Sequence, residues 1–136
     1  MNVAVVPKQV AEVYDGYPEQ VRSVLLSVRN RVFYCAKSAS VGPLSETLKW
    51  GQPSYLTDTS KAGTTIRLAM SGTKPAVFLN CNTTLVDGYR SDFPTAFAYL
   101  GNRALILPDS FDETVLDICL TRALTYHRTR RERRVS

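Results

Sequence analysis

The run Thr47-Leu48-Lys49-Trp50-Gly51-Gln52-Pro53-Ser54-Tyr55-Leu56, taken with Thr64-Thr65-Ile66-Arg67-Leu68-Ala69-Met70, decides the fold. In its second part Ile66, Leu68 and Met70 fall on one side and Thr65, Arg67 and Ala69 on the other, the two-residue rhythm of a strand with one buried face. The first part reads as two short strands, 47–50 and 53–56, around Gly51-Gln52. Residues 57–63 are a polar loop, and Ser71-Gly72-Thr73-Lys74 links the alternating segment to Pro75-Ala76-Val77-Phe78-Leu79-Asn80 as an antiparallel hairpin.

On either side of this sheet the rhythm becomes helical. Upstream, Val10, Val13, Tyr14 and Tyr17 suit a short helix opened by Pro7. From Pro18 onward, Val21, Val24, Leu25, Val28, Val32, Cys35, Ala36 and Ala39 predict a long one, stopped by Ser40 to Pro43. Downstream, Asn82 or Thr83 is expected to cap a helix reaching Asp92. Gly101-Asn102 suggests a two-residue turn into a strand at 104–107. Ser110-Phe111-Asp112-Glu113 has the form of a capping box before Val115, Leu116, Ile118, Cys119, Leu120, Ala123 and Leu124. The apolar positions of that last helix exceed one stripe, which suits deep packing or a homodimer contact. The expected fold class is α+β, with N-terminal helices and a C-terminal helix on one face of a mostly antiparallel sheet. The expected organisation is one domain over residues 1–128 and a basic C-terminal tail over 129–136.

Composition agrees with a single folded core. The chain has 136 residues, 44% hydrophobic and 21% charged, a balance that argues against disorder. No run approaches the roughly 20 apolar residues of a bilayer span, and the opening Met-Asn-Val-Ala-Val-Val-Pro-Lys lacks the basic and apolar regions of an export leader, so a cytoplasmic location with no membrane partner is expected. Cys35, Cys81 and Cys119 fit neither a disulfide framework nor a zinc pattern and read as small buried thiols. Net charge is +5, yet five arginines against Glu132 give residues 128–136 a net +4 and leave +1 for residues 1–127. Nucleic-acid binding is therefore expected only through the tail, weakly and with strong salt dependence.

The segment Glu46-Thr47-Leu48-Lys49-Trp50-Gly51-Gln52-Pro53-Ser54-Tyr55, preceded by Tyr17-Pro18 with Val21-Arg22, resembles the YdhG-like family of small, mostly bacterial domains of unknown function. Thr83-Thr84-Leu85-Val86 and Arg103-Ala104-Leu105-Ile106-Leu107-Pro108 extend the resemblance over nearly the whole chain up to Arg128. It implies a frataxin-like fold. Some members are described as frataxin-like iron chaperones, which the resemblance makes an alternative function, with iron as the only cofactor it raises. The oxygen ligands near the first helices, Glu12, Asp15 and Glu19, are few and lie beside Lys8 and Arg22.

The leading candidate site is the bend itself: Lys49, Trp50, Gly51, Gln52, Pro53 and Tyr55. Gly51 permits a tight turn, and Lys49, Gln52 and the aromatics suit a small anionic or planar ligand. The same residues also read as core architecture, with Trp50 and Tyr55 filling the interior. A non-enzymatic ligand-binding module is the leading functional expectation. An enzyme using Glu46, Lys49 and Tyr55 for proton transfer is an alternative. His127, the sole histidine, is expected to complement the negative end of the last helix together with Arg122 and Arg128. No nucleophile elbow, phosphate loop or dinucleotide fingerprint is present.

Overall fold

The computed structural model describes residues 5–135; the first half of the opening segment judged to lack a leader, residues 1–4, lies outside them, as does Ser136. Helices α1 (Lys8–Asp15) and α2 (Glu19–Ser38) come first, followed by strands β1 (Ser45–Lys49), β2 (Gln52–Leu56), β3 (Ile66–Ser71) and β4 (Lys74–Phe78). Helix α3 (Leu85–Asp92), strands β5 (Ala98–Leu100) and β6 (Ala104–Ile106), and helices α4 (Glu113–Leu124) and α5 (Tyr126–Val135) complete the chain. The strands form one open six-stranded sheet, ordered β1-β2-β3-β4-β6-β5, in which every pairing is antiparallel. The α+β expectation holds: the helices pack on this sheet. Among the described residues, no helix is long and apolar enough to cross a membrane.

Strand periodicity sorts the side chains. Tyr55 faces Ile66, Leu68 faces Val77, and Val77 faces Leu105 across neighbouring strands, and all are buried in the core with Leu25, Val28 and Val32 of α2 and Leu116, Leu120 and Leu124 of α4. Burying such aliphatic side chains stabilises by roughly 1.5–3 kcal/mol each. The reverse face carries the row Ser54, Arg67, Phe78, Ala104 and Leu100. Polar groups in the core are matched. The Arg29 guanidinium grips the Glu46 carboxylate through two bonds, 2.5 and 2.8 Å, with both side chains almost fully enclosed. The Tyr14 and Tyr55 hydroxyls meet at 2.5 Å beside this pair. Among the described residues, no buried side-chain nitrogen or oxygen lacks a partner.

Local chemistry departs from expectation at several ends. Helix α2 stops with Ser40 at φ +55, its N–H bonded to the Lys37 carbonyl while the Val41 N–H reaches the Ala36 carbonyl, so a serine takes the left-handed position usually held by glycine. The cap of α4 is Asp112, not Ser110; its carboxylate accepts from the Thr114 and Val115 amides. Neither Asn82 nor Thr83 caps α3, because the Thr83 hydroxyl is used on the Asn80 carbonyl and the helix begins after Thr84. Leu100 pairs with Ala104, so the connection between them is three residues rather than two. Residues 126–135, which include most of the segment expected as a basic tail, form a separate helix, and at its junction with α4 the Thr125 hydroxyl donates to the Thr121 carbonyl.

Candidate functional site

The bend between β1 and β2 is a two-residue hairpin turn with both central residues left-handed: Trp50 at φ +56 and Gly51 at φ +71. Such turns match the twist of paired strands, but the first position ordinarily falls to Asn, Asp or Gly. A bulky aromatic residue is strained there. Trp50 gains no burial in compensation, for it is 89% exposed, whereas Tyr55, five residues on, is fully buried. The two aromatics expected to act together are thus separated, one in water and one in the core.

The pleat divides the other predicted residues in the same way. Pro53 and Tyr55 lie on the helix-covered face and are buried. Lys49 pairs with Gln52 on the reverse face, where the Gln52 side-chain carbonyl accepts a 2.7 Å bond from Arg67. Glu46 also faces the helices, clamped by Arg29, so Glu46, Lys49 and Tyr55 do not converge on one point. Burial, with the neighbouring Tyr14 hydroxyl and Glu46 carboxylate, holds the Tyr55 phenol far above its ordinary value. That side chain stays neutral and serves as packing.

The structure instead builds a groove of about 400 Å³ around Lys49 and Trp50. Arg67 projects into it from β3, Asn80 and Cys81 border it after β4, and Arg103 reaches it from the turn before β6. These last segments are tied together by the Leu79 amide on the Arg103 carbonyl, 2.7 Å, and the Asn102 side-chain amide on the Cys81 carbonyl, 2.9 Å. Three cations line the groove and no carboxylate does. Arg67 is half-buried, stacked over Phe78, and burial lowers its pKa from the ordinary guanidinium value, the mark of a positive charge short of solvent and counter-ion. Cys81, expected to be buried, is exposed at the rim, while Cys35 and Cys119 are buried as expected.

Of the residues singled out in the sequence, Lys49 and Trp50 border this concavity and Gln52 holds Arg67 beside it, whereas Arg67, Cys81 and Arg103 were not anticipated. Alternation placed Arg67 opposite the core face, which was the available signal for it. Only the strand order, which sets β4 beside both β3 and β6, brings Arg103 near Lys49. Glu12, Asp15 and Glu19 are exposed, and among the described residues no three His, Cys, Asp or Glu side chains are grouped to hold a metal ion. Compared with family models, curated proteins and solved structures, the chain matches none.

Proposed function

We propose that the chain is a non-enzymatic binding module whose reverse-face groove takes a small ligand bearing both an anionic group and a planar ring. The observation that carries this reading is Trp50: a large aromatic side chain held in water on a strained backbone, at the edge of a groove whose three cations have no facing carboxylate. Lys49, Arg67 and Arg103 supply charge for a phosphate or carboxylate, with Arg67 already oriented by Gln52 and able to bond in a bidentate manner. Trp50 supplies a stacking surface for the ring. A desolvated guanidinium gains more from an arriving anion than an exposed one, because screening by water is weaker there.

Trp50 is the chain's only tryptophan, so its fluorescence reports directly on the groove. Titration with nucleoside monophosphates and aromatic carboxylates is expected to change the emission saturably, with inorganic phosphate and neutral aromatics binding more weakly. Arg67→Gln is expected to remove the response. A flat emission across all four probe classes rejects the reading.

We further propose that the chain is a YdhG-like domain of frataxin-like arrangement. Support comes from helices at both ends of the sequence that share one core with the sheet, and from the Lys49-Trp50-Gly51-Gln52 turn that carries the resemblance. The scattered, exposed carboxylates of the N-terminal helices favour the anion groove over an iron-carrying role.

A further inference from the structure

The arginines of α5 are arranged, not merely abundant. His127, Arg130, Arg131 and Arg134 recur at intervals of three, one and three, one stripe of a helix, with Glu132 off that stripe. Facing them is Lys61, whose loop holds it at φ +56. The five residues enclose a concavity of about 330 Å³ that no carboxylate lines.

This concavity is built by the fold. Gly63 lies so close to α4 that a Cβ there would sit 2.3 Å from the Leu124 carbonyl oxygen, and the Thr64 amide bonds the Ala123 carbonyl at 2.9 Å. The same loop receives α5: the Arg128 amide bonds the Ala62 carbonyl at 2.8 Å, and Arg131 donates to the Lys61 carbonyl at 3.3 Å. The Arg128 side chain reaches the Ala39 carbonyl at the end of α2, where a cation complements the helix terminus. His127, by contrast, lies in the first turn of α5 with an exposed ring, so it does not serve the end of α4 as its sequence position suggested. Like charges three and four residues apart oppose helix formation by roughly 0.2–0.5 kcal/mol per pair. A fixed row of them, converging on a lysine from another element, is a preformed site for a repeated anion.

We propose that this concavity binds the phosphate backbone of nucleic acid without reading its sequence. The α5 stripe runs about 10 Å along its axis, at 1.5 Å per residue, long enough to face successive phosphates of one strand. A frayed basic tail would bind through its arginines alone. The folded site requires Lys61 as well.

The test is fluorescence anisotropy of a labelled oligothymidylate and of a duplex of equal length, titrated with the full chain across a salt series. Four cations, Lys61, Arg130, Arg131 and Arg134, predict a slope of log affinity against log salt of about −3 for the single strand, or roughly 50-fold weaker binding between about 50 and 200 mM salt. Lys61→Gln is expected to reduce that slope by about 0.7, and Lys61→Gln with Arg134→Gln to halve it, both with unchanged circular dichroism. Binding of the duplex with similar salt dependence also supports a backbone contact. Absence of binding at about 50 mM salt overturns the proposal, as does a Lys61→Gln variant that keeps the full slope and affinity. The Trp50 response to small anions is expected to persist in both variants, so this proposal and the groove reading stand or fall separately.

Discussion

Replacing Trp50 by Asn should make the protein more stable. Trp50 occupies the first left-handed position of the β1–β2 turn at φ +56, a conformation that costs an ordinary L-residue roughly 1–2 kcal/mol and that Asn adopts with far less penalty. The opposing loss is small, because a side chain 89% exposed surrenders little buried surface when removed. The net gain expected for Trp50→Asn is therefore about 1 kcal/mol, or about 3–5 °C in Tm for a chain of this length. Trp50→Ala keeps the strain and should stay within about 0.5 kcal/mol of the parent. Because the fluorescent reporter disappears with the substitution, the assay is urea unfolding followed by far-ultraviolet circular dichroism. A lower urea midpoint for Trp50→Asn at unchanged slope would show that the indole packs against the body, and the strain argument would fall. The same variant should bind the proposed ligands more weakly by calorimetry, tying stability gained to function lost.

Further outcomes follow from the interior. Glu46→Gln leaves the Arg29 guanidinium enclosed without its counter-charge and should cost about 3–5 kcal/mol by chemical denaturation, whereas Arg29→Met with Glu46→Leu should recover much of that loss. Gly63→Ala must push the loop off the Leu124 carbonyl and should destabilise by about 1–3 kcal/mol, with earlier amide exchange at Thr64 and Arg128. A thiol reagent should modify one cysteine, Cys81, in the native protein and all three after unfolding. Burial pushes the Cys35 thiol up to about 11 and the Cys119 thiol to about 12, from an ordinary 9.0, so the native state holds those protons after the unfolded chain has released them. Stability should accordingly be full below about pH 9 and fall progressively as pH rises through 11–12, which denaturant midpoints at stepped pH will read.

The elements were legible where rhythm alone decides them. The two-residue alternation of Ile66, Leu68 and Met70 marked a half-buried strand, and the spacing from Val21 to Ala36 marked α2, because each pattern has one structure that buries it. Helix ends were harder to read, since Asp112 and Ser110 are both competent caps and the choice depends on which backbone amides point toward them. At the candidate groove, Lys49 and Trp50 were singled out by local turn chemistry. Arg67 and Arg103 were not, because strand order is a property of long-range pairing that no short window contains. Arg29 is a charged residue in a helix whose apolar stripe does not include it; it lies inside because Glu46, seventeen positions away, accompanies it.

The enclosed pair also governs where the groove can exist. Sliding β1 by one position against β2 would turn Glu46 outward, take that carboxylate from the enclosed Arg29 guanidinium and carry Lys49 toward the apolar interior. A one-residue misalignment thus incurs an ionic penalty that the native alignment avoids. An ion pair on the covered side of the sheet acts as a proofreading device for the proposed binding groove on the other, and substitutions at Arg29 or Glu46 should blur the proposed ligand recognition at residues they never touch.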